Sequence, residues 1–180
     1  MLDDCLALLG ALNDKLDELE NELSKISCDQ LTRIPEHSWS PTMIVHHLLL
    51  SEQGSLAYCK KKLSFNPELP TFSEENGAME QKMAHILRSP KYKVDAPPGL
   101  NKENLSNDIE LSDLFSTWRA SRQEVLGFLS EQPEENFVKL IYKHPLAGRM
   151  RLKGMLLFFD AHFDAHRQQI RNHLEAFAAS

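Results

Sequence analysis

The sequence is poor in cysteine, has only short apolar runs and lacks an excess of basic residues. Its three cysteines, Cys5, Cys28 and Cys59, form no CxxC spacing, so we expect reduced thiols in a cytoplasmic protein rather than a disulfide framework. No run approaches the roughly 18–20 apolar residues of a membrane span, and the first four residues do not begin a secretory signal. A net charge of −6 argues against nonspecific nucleic-acid binding.

What the sequence does contain is the composition of an ordinary globular domain. Apolar residues make up 42% and charged residues 26% of a chain of 180 residues, which is enough to bury an ample core. We find no internal repeat and no low-complexity tract. We therefore predict a single domain over residues 1–180 whose partner is a small molecule rather than a nucleic acid or a membrane.

Several long stretches show the spacing of amphipathic helices. Between residues 2 and 26, apolar residues recur at alternating steps of three and four, which predicts one apolar seam along a long helix. A coiled coil with a separate chain is the alternative for this seam, but further helical stretches favour an internal bundle. These stretches are expected at about 41–63, 111–131 and 151–178, with a shorter helix at about 73–87.

The connections between these helices are long. We predict a connection at 27–39, an irregular crossover strap or lid at 92–107 that contributes to a substrate pocket, and a short extended segment at 137–142. Convincing strands are few. The predicted fold is therefore all-α, a four-helix bundle with long crossover connections and one extra short helix.

A pair of histidines, His162 and His166, stands out in the predicted last helix. Positions i and i+4 share one helical face, with Cβ atoms about 5–6 Å apart, so both imidazoles can bind one metal ion. The alternative is two surface histidines that share a face by chance. The phenylalanines around the pair favour the metal site, because a helix surface is seldom so apolar.

A third histidine, His47, falls on the inward face of the second predicted helix. Its neighbour His46 points about 100° away and is expected to be exposed. Three imidazoles from two facing helices would leave coordination positions open, as catalytic metal sites do. His173 shares the face of the pair but lies about 10 Å beyond His166 along the helix axis, so we expect it either to support the ligands from outside the metal site or to have a structural role.

The spacing of the pair also resembles the HExxH zinc motif, but the chain does not complete that motif. Phe163 stands where the motif has its glutamate, so the general base of a zinc protease is missing. Asp160 and Asp164 flank the pair but point off its face, and we interpret them as helix-surface charge. These residues therefore do not supply the missing base.

Two other residues are candidates for supporting the ligands. Gln169 follows His166 by one turn and can hydrogen-bond at the site, and Glu52 follows His47 by five residues. Glu52 could orient a ligand or accept a proton, although a buried glutamate needs a partner. The sequence identifies no catalytic residue beyond these two candidates.

Three motifs together resemble the DinB/YfiT-like superfamily of metal-dependent enzymes, and they occur in order from Trp39 across most of the chain. They are Trp39-Ser40-Pro41 followed by His47-Leu48 and Glu52, the turn His144-Pro145 with Gly148, and His162-x3-His166-Arg167-x-Gln169-Ile170. The stretch Ala96-Pro97-Pro98 is also similar to the branch that includes YfiT. Each motif alone is weak, and their joint occurrence in this order carries the resemblance.

The resemblance implies a four-helix bundle, often a homodimer, with a divalent ion on His47, His162 and His166. Zinc or nickel is expected ahead of iron or manganese. Some relatives use a low-molecular-weight thiol such as bacillithiol, mycothiol or glutathione, so the expected function is a divalent-metal-dependent hydrolase or thiol-dependent S-transferase. The alternative is a noncatalytic helical stress or binding protein in which a metal only staples two helices or is absent.

Overall fold

The computed structural model describes residues 1–36, 38–89, 99–145 and 147–178. Within these ranges the chain is mainly helical, which confirms the predicted all-α class, and none of the described helices is long and apolar enough to cross a membrane. The helices are α1 (Leu2–Leu23), α2 (Cys28–Thr32), α3 (Pro41–Ser64), α4 (Glu74–Arg88), α5 (Leu111–Ser130) and α6 (Leu152–Ala178). A hairpin of β1 (Tyr142–His144) and β2 (Gly148–Met150) and short 3-10 helices at Lys102–Asn104 and Glu134–Val138 lie between them.

The four long helices α1, α3, α5 and α6 form the bundle. Helices α1 and α3 each pack against both α5 and α6, and α4 packs along the outside of α6. The predicted seam of α1 is buried from Cys5 to Leu23, and each fully buried leucine in it contributes roughly 1.5–3 kcal/mol through the hydrophobic effect. This packing sets α3 and α6 side by side, so their inward side chains can meet.

Side-chain caps fix the beginnings of two helices where the sequence predicts them. The hydroxyl of Ser40 accepts a hydrogen bond from the backbone N–H of Met43 at 3.1 Å, and Pro41 occupies the first position of α3. Ser73 and Asn76 form a reciprocal capping box at the start of α4. Because the cap of α3 fixes where that helix begins, it also fixes the phase of every inward residue that follows.

The connections differ from the predictions in two places. The predicted connection at 27–39 contains the one-turn helix α2, which Ser27 caps and which is too short to show helical periodicity. The predicted extended segment at 137–142 is wrong at its start, because a 3-10 helix covers Glu134–Val138, but Lys139 forms an antiparallel bridge with Thr71 and β1 begins at Tyr142. Strand β1 pairs antiparallel with β2, and Gly148 takes a φ of +70° just after the turn.

The predicted strap at 92–107 is described only in its second half. Residues 92–98, which include Ala96-Pro97-Pro98, lie outside the described residues, and the part from 99 onward contains the 3-10 turn Lys102–Asn104. This part crosses the N-terminal half of α3, where the carbonyl of Leu100 meets the ring of His47. The strap therefore touches the region in which the predicted site lies.

Candidate metal centre

The three predicted ligand histidines lie together between α3 and α6. Nε2 of His162 lies 3.2 Å from Nε2 of His47 and 3.0 Å from Nε2 of His166. One ligand atom from each ring lies within 4.8 Å of the other two. Among the residues that the structure describes, no other group of histidine, cysteine and carboxylate side chains converges in this way.

The spacing of these nitrogens fits a shared ion. Two imidazole nitrogens that bind one ion at about 2.1 Å each are roughly 3.0–3.4 Å apart when their angle at the ion is about 90–110°. The two Nε2 separations of 3.0 and 3.2 Å fall in that range. The two Nε2 separations therefore match those expected for imidazoles that share one ion.

Hydrogen bonds on the far side of two rings decide which nitrogen faces the centre. Nδ1 of His47 lies 3.2 Å from the carbonyl oxygen of Leu100, and Nδ1 of His166 lies 2.8 Å from Oε1 of Gln169. Carbonyl oxygens only accept, so each Nδ1 carries the proton and each Nε2 presents its lone pair. Since His162 has one Nε2 proton at most, it cannot satisfy both neighbours, whereas a cation between the three nitrogens would.

The protonation behaviour of the rings also suits a metal. The pKa of His47 is lowered to about 4 and that of His166 to about 3, mainly by burial and in smaller part by the neighbouring His46 and His47, respectively. Burial, reinforced by His166 and His47, likewise holds the pKa of His162 well below its usual range. All three imidazoles are therefore neutral near pH 7, and no proton competes with an ion for their lone pairs.

Aromatic rings form the apolar walls of the centre. The indole of Trp39 lies 4.7 Å from the ring of His47 and 6.1 Å from that of His166, centroid to centroid. Phe158 stacks on His162 at 5.0 Å. These contacts cover parts of the rings and restrict their tilt, while His162 and His166 remain partly exposed.

Two wall residues carry a role that sequence reasoning missed. Trp39 entered only as part of a motif, although its place directly before the capping residue Ser40 could have indicated that it folds back onto α3. His144 entered only as part of a turn, yet it is buried against Phe158 with ring centroids 4.6 Å apart. Burial lowers the pKa of His144 to about 4, so it too is neutral near pH 7.

The two candidate support residues occupy different places. Gln169 contacts His166 directly, as described above. Glu52 instead lies in a buried cluster where its carboxylate accepts hydrogen bonds from Arg122 at 2.9 and 3.1 Å and from Nε1 of Trp118 at 2.8 Å. No described hydrogen bond joins Glu52 to a histidine of the centre.

The aspartates that flank the histidine pair lie on the opposite side of α6. Lys15 of α1 and Arg88 of α4 each bind both Asp160 and Asp164, with Lys15 2.7 Å from Asp160 and Arg88 2.9 Å from Asp164. Both aspartates therefore point away from the histidine face, as predicted, and they form a network of ion pairs across α1, α4 and α6. Neither carboxylate is directed at the metal centre.

His46, His85 and His173 lie outside the centre. His85 is exposed on α4, as expected. His46 is half-buried, because its Nδ1 accepts a hydrogen bond from the backbone N–H of Ser106 at 3.0 Å, so the expectation of an exposed ring is wrong. His173 lies beyond His166 on α6, where burial lowers its pKa and the backbone of Gln30 partly offsets that shift.

Comparison with known proteins identifies a family. The model of the DinB superfamily matches residues 11–170, which include all three histidines, Trp39 and Gln169. No curated protein and no solved structure gives a significant match. The matched range contains the whole histidine cluster.

Proposed function

Since this chain belongs to the DinB superfamily, we propose that it is a divalent-metal-dependent enzyme acting on a small molecule. The observation that carries the proposal is the convergence of three neutral imidazole nitrogens between α3 and α6. His47, His162 and His166 would hold the ion. Bound there, the metal would act as a Lewis acid that lowers the pKa of a bound water or thiol.

The protein's own groups prepare this centre. The carbonyl of Leu100 and the amide of Gln169 hold the Nδ1 protons of His47 and His166, so the Nε2 lone pairs stay directed inward. Trp39 and Phe158 keep the rings in place. Neutral imidazoles suit zinc and nickel, which we propose ahead of iron and manganese.

The surroundings of the centre favour a thiol-dependent S-transferase over a hydrolase. The carboxylates of Glu52, Asp160 and Asp164 are all paired with arginine or lysine, so none of these three is free to take a proton from water. A thiol, with an ordinary pKa of about 8.5, needs far less help to ionise than water, with about 15.7. We therefore propose a low-molecular-weight thiol as co-substrate and an electrophilic small molecule as its acceptor.

The first experiment measures the metal content of protein purified without a histidine tag. We expect close to one equivalent in the wild type, and its loss in His162→Ala while the helical circular dichroism signal largely remains. His85→Ala is the matched control, because His85 is exposed on α4 and is not part of the cluster. If His47→Ala or His166→Ala retains the full metal content, the three-histidine site is wrong.

A second experiment separates the reaction types. The metal-loaded protein is incubated with electrophilic substrates and a panel of bacillithiol, mycothiol and glutathione, and thiol consumption is followed. Metal-dependent consumption of one thiol would support the transferase. Hydrolysis without a thiol would favour the hydrolase, and a loaded protein that turns over neither would indicate a metal that only staples α3 to α6.

A further inference from the structure

A cavity of about 450 Å³ lies beside the metal centre, between the second half of α6 and the segment that leads into α3. Its size is that of a small-molecule pocket. The wall residues on which the inference rests are Gln169, His173, Ala176 and Phe177 from α6, and Arg33 and Pro35 from the facing segment.

The chemistry of the wall combines one cation with apolar surface. The guanidinium carbon of Arg33 lies 4.7 Å from the ring centroid of Phe177, so the aromatic ring holds the positive charge at the cavity. Pro35 and Ala176 add apolar surface, and no acidic residue is among the described residues of the wall. A small carboxylate with an apolar portion matches both features, since a guanidinium can bind a carboxylate through two hydrogen bonds.

The cavity and the metal centre share one residue. Gln169 lines the cavity, and its Oε1 also accepts the hydrogen bond from Nδ1 of His166 at 2.8 Å. A molecule that shifts this amide would change the hydrogen bond that orients a ligand ring, and such partners strongly affect metal affinity. Any effect of the molecule on metal binding must be matched by an equal effect of the metal on binding of the molecule.

We propose that this cavity binds a small organic carboxylate, with Arg33 pairing the carboxylate and Phe177 and Pro35 packing on its apolar part. Gln169 links occupancy of the cavity to metal affinity. The linkage rests on the proposed metal site, whereas binding of the carboxylate does not. The two parts can therefore fail separately.

The binding test uses 3-phenylpropanoate as the probe and the neutral 3-phenylpropanol as its comparison. The full chain is titrated with and without zinc, and the ring ¹⁵N and ¹H resonances of His173 report the cavity, because that ring lies in its wall. We expect roughly millimolar binding of the acid, as for fragments of this size, and clearly weaker binding of the alcohol. Binding that occurs only when zinc is present would place the acid on the metal and overturn the proposal.

Variants locate the bound acid. Arg33→Gln should weaken its binding at least tenfold, and Ala176→Phe should block the cavity from the exposed face of α6. Lys61→Gln makes the same change of charge at the distant end of α3 and should leave binding unchanged. The proposal is overturned if the alcohol binds as well as the acid, or if Arg33→Gln and Ala176→Phe both bind like the wild type.

The linkage test measures zinc affinity with and without saturating 3-phenylpropanoate. We expect a change of about threefold or more in the wild type and none in Gln169→Ala, which lacks the shared amide. An equal change in both proteins would refute the role of Gln169. If the chain binds no zinc at all, the proposed function fails, and the zinc-free titration still decides whether the cavity binds the acid.

Discussion

The buried cluster around Glu52 allows a sharp test of whether this residue belongs to the reaction or to the fold. Its carboxylate receives two hydrogen bonds from Arg122 and one from Trp118, and the side chains of Glu52 and Arg122 are only 3% and 1% exposed. Arg122 also donates to the backbone carbonyl of Leu12. The cluster thus joins α3, α5 and α1, and we expect Glu52 to act as a structural anchor.

The magnitude follows from burial. Arg122→Met keeps much of the side-chain volume but leaves the Glu52 carboxylate buried with Trp118 as its one remaining described partner. Removing one partner of a buried ion pair costs about 3–5 kcal/mol of unfolding free energy. Replacing both charges, as in Glu52→Leu with Arg122→Met, should cost less than Arg122→Met alone, because no uncompensated charge then remains.

Urea unfolding of the wild type, both single variants and the double variant gives the coupling energy of the pair. Metal content is measured on each of these proteins and on a further variant, Glu52→Gln, in which we expect it to remain close to one equivalent. A loss of less than about 1 kcal/mol in Arg122→Met would refute the anchoring argument. If Glu52→Gln lost the metal or the activity at unchanged stability, Glu52 would belong to the site after all.

Three further predictions test the packing of α6 against α4, the buried His144 and the hydrogen bond that supports His166. Gly154→Ala should destabilise the protein by about 1–3 kcal/mol in urea unfolding, because its new Cβ would lie 2.6 Å from Oε1 of Glu80; Gly127→Ala, with open space, should stabilise by up to about 1 kcal/mol. Burial lowers the pKa of His144 from 6.5 to about 4, so its protonation favours unfolding, and about 3 kcal/mol of stability should be lost as pH falls from 6.5 towards 4; His144→Gln should show a smaller loss in metal-free unfolding curves. Gln169→Ala should weaken zinc binding about 10–100-fold in a chelator competition, and unchanged affinity would show that the amide does not orient His166.

The ligand set could be predicted from the sequence because helical phase survives folding. The i, i+4 spacing places His162 and His166 on one face whatever surrounds them, and the cap at Ser40 fixes the phase that turns His47 inward. His46 shows the limit of this reasoning. Helical phase correctly predicts that His46 points away from the core. The strap that covers His46 comes from a distant part of the chain, so no local sequence pattern could predict the contact with Ser106.

The partners of the charged residues could not be predicted from the sequence, because they too lie in distant parts of the chain. Glu52 lies on the inward face of α3 beside His47, so phase alone could not distinguish a ligand partner from a structural anchor. The difference is made by Arg122, which lies 70 residues away in sequence. The turn at His144-Pro145 with Gly148 was predicted, but helix α2 and the paired strands of the hairpin were missed, because elements of three to five residues are too short for periodicity to show.

The described ion pairs of helix α6 help to orient the metal centre, although none of them contacts the ligand histidines. Its inner face carries His162 and His166, and its outer face carries Asp160 and Asp164, which Lys15 of α1 and Arg88 of α4 hold. These ion pairs are partly exposed, so each adds little stability alone, but together they restrict rotation of α6 about its axis. A rotation of one residue would turn the imidazoles by about 100°, so the charges on the outer face keep the inner face aligned with His47.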